Sequence, residues 1–121
     1  MDNLASFLKT AKWKTIEETQ NTLICVDDGL EQELAKASID LPDRQRYGFQ
    51  VWQLLEETKF IEKDGIGKEG YIIPVKIISG QPRLMSEPSL PLLVLNTPIF
   101  FSREPLISPA LYLILALPRP I

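Results

Sequence analysis

Apolar positions near the start of the chain repeat with the spacing of an α-helix. They fall at i, i+3, i+4 and i+7, at Leu4, Phe7, Leu8 and Ala11. Residues with this spacing lie on one face of a helix, which can then be buried. The pattern predicts a first helix over residues 3–16.

Two further elements follow in the next 25 residues. Residues 22–26 are a short, mostly β-branched and aliphatic run that ends at Asp27-Asp28-Gly29, which is typical of a buried strand followed by a turn. After this turn, Leu30, Leu34 and Ala37 recur with helical spacing. We therefore predict a strand at 22–26 and a helix over 30–38.

The stretch between residues 47 and 58 fits two periodicities. Tyr47, Val51 and Leu54 would share one face of a helix, whereas Tyr47, Phe49 and Val51 alternate as they would in a strand. The length of the stretch and its Leu-Leu-Glu-Glu ending favour a helix. We predict a helix over 43–57.

A glycine-rich polar loop then joins two apolar runs. Residues 59–63 and 70–78 flank this loop, which is typical of a β-hairpin. Pro74 lies inside the second run and cannot donate a ladder hydrogen bond, so we expect this strand to lie at a sheet edge or to carry a bulge.

The last third of the chain is apolar and rich in proline. Residues 84–121 contain seven of the ten prolines and only four charged side chains. Proline breaks helices and removes ladder donors, so short extended pieces are expected at 92–95 and 99–101. Residues 110–117 fit a short buried helix or a strand about equally well. This arm either adds strands to the fold of residues 1–79 or packs on another chain.

These elements predict a small α+β domain. The N-terminal helices and a β-hairpin form a core over residues 1–79, residues 80–91 form a linker, and residues 92–121 form an apolar, proline-rich arm of short strands. The order helix, strand, helix, helix, hairpin is also the layout of a winged helix-turn-helix.

Composition and charge narrow the cellular setting. The net charge is −3 and the sequence pI is near 5.0, which gives no general attraction to nucleic acid or anionic membranes. A single cysteine and the lack of a basic, then apolar leader predict a cytoplasmic protein. The uncharged stretch at 106–117 is shorter than the ~20 residues of a spanning helix, so we expect no membrane span.

The side chains of common active sites are scarce. The chain has no histidine, which removes the usual general base and metal ligand. Cys25 lies in a predicted strand, where a thiol behaves as a small apolar group. The acidic pairs fit helix faces, turns and caps. We therefore predict no enzymatic activity, no cofactor and no metal.

One glycine motif matches a nucleotide-binding pattern in spelling only. Gly65, Gly67 and Gly70 have the spacing G-x-G-x-x-G, but a dinucleotide fingerprint requires a helix after the glycines. A strand is predicted there, so we interpret these glycines as hairpin residues.

The winged-helix layout supplies one functional hypothesis, a nucleic-acid-binding regulator. The residues expected to contact nucleic acid are Arg44, Gln45, Arg46 and Gln50 on the recognition helix and Lys63 and Lys68 on the wing. Residues 42–70 contain five basic and six acidic side chains, and this balance argues against phosphate binding.

The apolar arm supplies the preferred hypothesis, a non-catalytic protein-interaction module, accessory subunit or adaptor. Strands that bury one face would leave about half of the arm's apolar side chains uncovered. Another protein or a second copy of the chain would cover them. The predicted partner interface is Leu92, Leu93, Leu95, Ile99, Phe101, Leu111 and Tyr112.

Overall fold

The computed structural model describes residues 2–15, 21–37, 39, 41–59, 69–102 and 104–119. Within these residues, two short helices and eight strands are formed. In chain order they are α1 (Asp2–Leu8), β1 (Trp13–Thr15), β2 (Thr22–Cys25), α2 (Leu30–Lys36), β3 (Tyr47–Leu54), β4 (Thr58–Lys59), β5 (Gly70–Ile77), β6 (Ile99–Phe101), β7 (Leu106–Ile107) and β8 (Leu111–Pro118). A 3-10 turn, Arg44–Arg46, precedes β3.

Six of the strands form one antiparallel sheet in the order β1-β2-β3-β8-β5-β6. β8, from the end of the chain, is inserted between β3 and β5, and it pairs along its whole length with β3. β4 and β7 form a separate two-stranded ladder. The sheet is therefore completed only by the last strand.

The two faces of the sheet are covered by different parts of the chain. α1, α2 and the segment after α2 cover one face and form the helix-side core: Leu4, Leu8, Cys25, Leu34, Ala37, Ile39, Leu41, Val51, Ile73, Val75, Ile114 and Ala116. The segment between β5 and β8 covers the other face and forms the arm-side core: Trp52, Leu54, Ile72, Leu84, Leu93, Phe101, Ile107, Leu111, Leu113 and Leu115.

The segment between β5 and β6 is held in place by backbone hydrogen bonds within itself and to β7. The N–H of Leu84 donates to Pro91 O at 3.0 Å, and the N–H of Met85 donates to Leu106 O at 2.6 Å. Residues 80–91, predicted as a linker, therefore include Leu84, which is fully buried. They act as a cover for the sheet.

The predicted helix over 43–57 is wrong. This segment contains the 3-10 turn and the eight-residue strand β3. Val51 is buried on the helix side, and Trp52 and Leu54 are buried on the arm side. Because β3 is buried on both faces, its sequence lacks the regular alternation of apolar and polar residues that marks a half-exposed strand. Its apolar positions therefore also fit one face of a helix. Leu55, which directly follows β3, is 41% exposed.

The first helix is shorter than predicted, whereas the second is close to its expected bounds. α1 ends at Leu8 instead of residue 16, because the chain turns into β1 and the Trp13 indole N–H donates to the Leu8 carbonyl at 3.2 Å. α2 occupies most of 30–38. The strand predicted at 22–26 is present as β2.

The predicted hairpin between 59–63 and 70–78 is not formed by the described residues. β5 is present, but its neighbours are β8 and β6, so both of its edges are occupied next to the loop. Lys59 pairs with Leu106 of β7. Residues 60–68 lie outside the described residues. Pro74 precedes a register shift in the β5–β8 ladder. This irregularity is the bulge that was expected at a proline within a strand.

The arm contributes strands of the main sheet. β6 confirms the strand predicted at 99–101, and residues 111–118 form a strand and no helix. Residues 92–95 form no strand apart from one bridge between Leu92 and Arg83. The α+β class therefore holds in the broad sense of two helices beside a strand-rich, antiparallel sheet.

Candidate functional site

The predicted partner-interface residues divide between the core and the surface. Leu93, Phe101 and Leu111 are buried in the arm-side core. Ile99 is half-buried against the same core. Only Leu92 and Leu95 are well exposed, at 45% and 43%. Because the sheet is covered on both faces, most of the arm's apolar side chains are buried within this chain.

Tyr112 lies apart from the other predicted interface residues. It projects from β8 toward the helix side, where its ring centroid is 5.6 Å from that of Trp13. Lys76 of β5 is its cross-strand partner. Tyr112 is half-buried, so this aromatic pair closes one end of the helix-side core and does not join the surface at Leu92 and Leu95.

Leu92 and Leu95 border an apolar groove on the arm side of the protein. The groove has a volume of about 400 Å³ and is lined by Ile77, Gly80, Gln81, Leu92, Leu93, Val94 and Leu95. Val94 is 57% exposed. We call the exposed side chains of Leu92, Val94 and Leu95, together with Ile77, the apolar surface.

Local backbone contacts determine which side chains of this segment face outward. The N–H of Leu93 donates to Pro82 O at 2.9 Å, and the N–H of Asn96 donates to Pro74 O at 2.8 Å. These two bonds anchor the segment to the body of the protein, and Leu93 is its buried residue. Asn96 has a φ of 60°, a conformation that asparagine tolerates better than most residues. Val94 and Leu95, which lie between these two hydrogen bonds, are exposed to solvent.

The predicted nucleic-acid residues do not form a recognition helix. Arg44 and Gln45 lie in the 3-10 turn, and Gln50 lies in β3. Gln50 Oε1 accepts a hydrogen bond from the Trp52 indole at 3.1 Å, on the arm side of the sheet. Arg46 is exposed at the end of the turn. Lys63 and Lys68 lie outside the described residues.

A second groove, which we call the arginine groove, lies beside this turn. It has a volume of about 590 Å³ and is lined by Glu31, Leu34, Ala35, Arg44, Gln45, Phe49 and Arg119. Two of these residues, Arg44 and Gln45, were predicted to bind nucleic acid. Arg119 was not singled out, because nothing in the sequence places the end of the chain beside residue 44.

The Cys25 thiol is enclosed in the helix-side core. It is 7% exposed, and burial raises its pKa, an effect opposed in part by a hydrogen bond with the Asp27 backbone. A raised pKa reduces the thiolate population, which is the nucleophilic form. The environment is that of a packing residue.

The Asp27 carboxylate is used within the fold. It accepts hydrogen bonds from the backbone N–H of Gly29 at 2.9 Å and from that of Lys12 at 3.0 Å. These bonds, led by that of Gly29, lower the pKa of Asp27. The carboxylate thus joins the start of β1 to the turn before α2. Within the described ranges, no three His, Cys, Asp or Glu side chains are grouped as a metal site would require.

The glycine motif has a structural explanation at its last position. Gly70 begins β5, and no helix follows it. A Cβ at this position would overlap the Ala116 carbonyl oxygen and would lie 3.0 Å from the Phe101 ring. Close packing between β5, β6 and β8 therefore requires glycine here. Gly65 and Gly67 lie outside the described residues.

No family model matches the chain, and neither the curated proteins nor the solved structures contain a match. None of the helices in the described part of the chain has the length and hydropathy needed to cross a membrane.

Proposed function

We propose that this protein is a non-catalytic interaction module that contacts another protein, or a second copy of itself, through the apolar surface. The observation that carries the proposal is the concentration of exposed apolar side chains there. Among the described residues, three of the eight exposed large apolar side chains belong to this surface: Leu92, Val94 and Leu95.

Clustering distinguishes this surface from ordinary scatter. Single exposed apolar residues are normal on a protein surface, whereas contiguous ones commonly mark interaction sites. Leu92, Val94 and Leu95 also line one groove. Full burial of a leucine or valine side chain contributes roughly 1.5–3 kcal/mol, so covering these three would favour association.

The non-catalytic part of the proposal rests on the chemistry of the chain. Histidine is missing from the sequence, and the thiol of Cys25 is enclosed with a raised pKa. The Asp27 carboxylate is already bonded to two backbone N–H groups. These features favour a role in binding over a role in bond breaking.

The first test addresses association with a second copy. Light scattering is measured on the purified chain from micromolar to millimolar concentration, beside the double variant Leu92→Gln/Leu95→Gln. A matched control, Val26→Gln/Leu55→Gln, replaces two side chains that are 48% and 41% exposed elsewhere. We expect concentration-dependent assembly that only the first variant loses, and that added salt weakens little.

The second test addresses a different protein as partner. A photo-reactive amino acid is placed at position 95 and, as control, at position 55, and adducts formed in cells are compared. A discrete adduct at position 95 that is lost with Leu92→Gln supports the proposal. A monomeric chain at millimolar concentration, together with equal adduct patterns at both positions, would exclude it.

A further inference from the structure

The arginine groove is separate from the apolar surface and has a different chemistry. It is bounded by α2 on one side and by the start of β3 on the other. Its volume of about 590 Å³ is within the range of small-molecule sites, roughly 300–1,000 Å³. It is therefore large enough for one aromatic ring system with a charged substituent.

Arg44 is held in place by the end of α2. Its Nη1 donates to the Ala37 carbonyl at 3.3 Å and its Nη2 to the Leu34 carbonyl at 2.8 Å. Each of these carbonyls also accepts a backbone N–H, from Ile39 and Ala37 respectively, and the carbonyl end of a helix attracts cations. Its guanidinium carbon also lies 5.7 Å from the centroid of the Phe49 ring. Arg44 is thus oriented before any ligand arrives.

Arg119 is held from the opposite side by β3. Its Nε donates to the Tyr47 carbonyl at 3.1 Å, and its backbone N–H donates to the Arg46 carbonyl at 2.6 Å. A guanidinium has five N–H donors, and the hydrogen bond to Tyr47 uses the one on Nε. The two terminal nitrogens are the donors that a carboxylate or phosphate binds bidentately.

The other described residues of the lining add an apolar wall and one carboxylate, so the described lining as a whole is net positive. Leu34, Ala35 and Phe49 provide carbon surface, and Gln45 provides a neutral amide. Among the described lining residues, Glu31 is the single carboxylate, beside the two arginines. A ligand that satisfies this lining carries negative charge at one end and a flat apolar body at the other.

We propose that the arginine groove binds a small aromatic anion, with its carboxylate or phosphate on Arg119 and Arg44 and its ring against Phe49. The two guanidinium groups are oriented by backbone carbonyls in the folded chain, so binding requires little further ordering of either side chain. This site is independent of the apolar surface and of the interaction proposed there.

The test uses three naphthalene probes of the same body: 2-naphthyl phosphate, 2-naphthoate and the neutral 2-naphthalenemethanol. Calorimetric titration of the full chain is expected to show saturable one-to-one binding of at least one anion and at least ~10-fold weaker binding of the alcohol. The stronger of the two anions identifies the headgroup as phosphate or carboxylate.

Two pairs of variants locate the site. Arg119→Gln is expected to weaken binding of the anion ~10-fold or more, whereas Arg46→Gln, with the same loss of charge on a neighbouring exposed residue, changes it by less than ~2-fold. Ala35→Leu fills the groove from α2 and is expected to weaken the binding of both anions. Gln32→Leu, on the same helix, is expected to leave their binding unchanged. Unfolding in urea confirms that each variant is folded.

Several outcomes would overturn the proposal. The first is that neither anion binds saturably at millimolar concentration. The second is that the Arg119 and Arg46 variants lose equal amounts of affinity for the anion, and the third is that Ala35→Leu leaves this affinity unchanged. Equal losses would indicate general attraction to positive charge, and an unaffected Ala35 variant would place the probe elsewhere on the protein.

Discussion

Val51 of β3 lies directly opposite Ile114 of β8, and both side chains are fully buried. The two residues are 63 positions apart in the sequence and meet at the centre of the six-stranded sheet. Their contact joins residues 47–54, whose periodicity favoured a helix, to the proline-rich arm, whose composition suggested a separate segment. β8 is consequently part of the core.

This pairing makes Ile114 a sensitive position for stability. Replacement with alanine leaves a cavity between the sheet and the helices, and the expected loss in free energy of unfolding is about 2–5 kcal/mol. Val94→Ala, at a side chain that is 57% exposed, is the control and should change stability by less than about 0.5 kcal/mol. Urea unfolding followed by circular dichroism measures both. Similar losses in the two variants would contradict the central position of β8.

Two glycines of the sheet differ in their tolerance of a side chain. Gly70→Ala forces a Cβ into the Ala116 carbonyl oxygen and toward the Phe101 ring, and we expect a loss of about 1–3 kcal/mol. Gly48→Ala is its counterpart in β3, where the nearest atom to the new Cβ is Arg119 Cγ at 4.0 Å. There we expect a change within about 1 kcal/mol, of either sign. Thermal unfolding compares them, and a reversed order would refute this packing of β5 on β8.

Lys9 and Lys76 form a like-charge pair between the end of α1 and β5. The Lys9 ammonium is the main reason that the pKa of Lys76 is lowered from its ordinary value of 10.5. Between the lowered pKa and about 10.5, the Lys76 side chain of the unfolded chain binds its proton more tightly than that of the folded chain. The free energy of unfolding should therefore rise with pH across this range.

Lys9→Gln removes the main cause of this shift. We expect it to raise the thermal midpoint at pH 8 and to flatten the rise in stability toward pH 10.5. Lys14→Gln, at an exposed residue of β1, removes the same charge and serves as the control. Thermal scans across this pH range provide the measurement, and identical profiles for the two variants would show that the repulsion is negligible.

Cys25 should react slowly while the protein is folded. Its thiol is 7% exposed and burial raises its pKa, so both access and thiolate population are reduced at pH 8. We expect modification by an aromatic disulfide reagent to be at least ~10-fold slower in buffer than in urea. Equal rates would instead indicate an accessible, activated thiol and would reopen nucleophilic chemistry at this position.

The elements that the sequence predicted correctly are those whose signals are local. The 30–38 helix has apolar residues on one face and polar residues on the other, and the 22–26 strand is a short aliphatic run before a glycine turn. Both patterns arise within about ten residues. The scarcity of catalytic side chains is also a property of composition and needs no structure to be stated.

The residues of the arginine groove could be grouped only once the fold was known. Arg44 and Gln45 were identified from the sequence, but for a recognition helix that is not formed. Arg119 reaches the same groove because β8 runs antiparallel beside β3, so that Pro118 lies opposite Tyr47. No spacing along the chain contains that information.

Tertiary structure decided the remaining questions because burial on both faces erases the local signal. In β3 and β8, helices cover one face and the segment between β5 and β8 covers the other, so apolar residues stand side by side where a half-exposed strand would alternate. The sequence determined that these segments must be buried. Which segments bury each other, and hence whether residues 47–54 are helix or strand, depended on a partner strand that lies about 60 residues further along the chain.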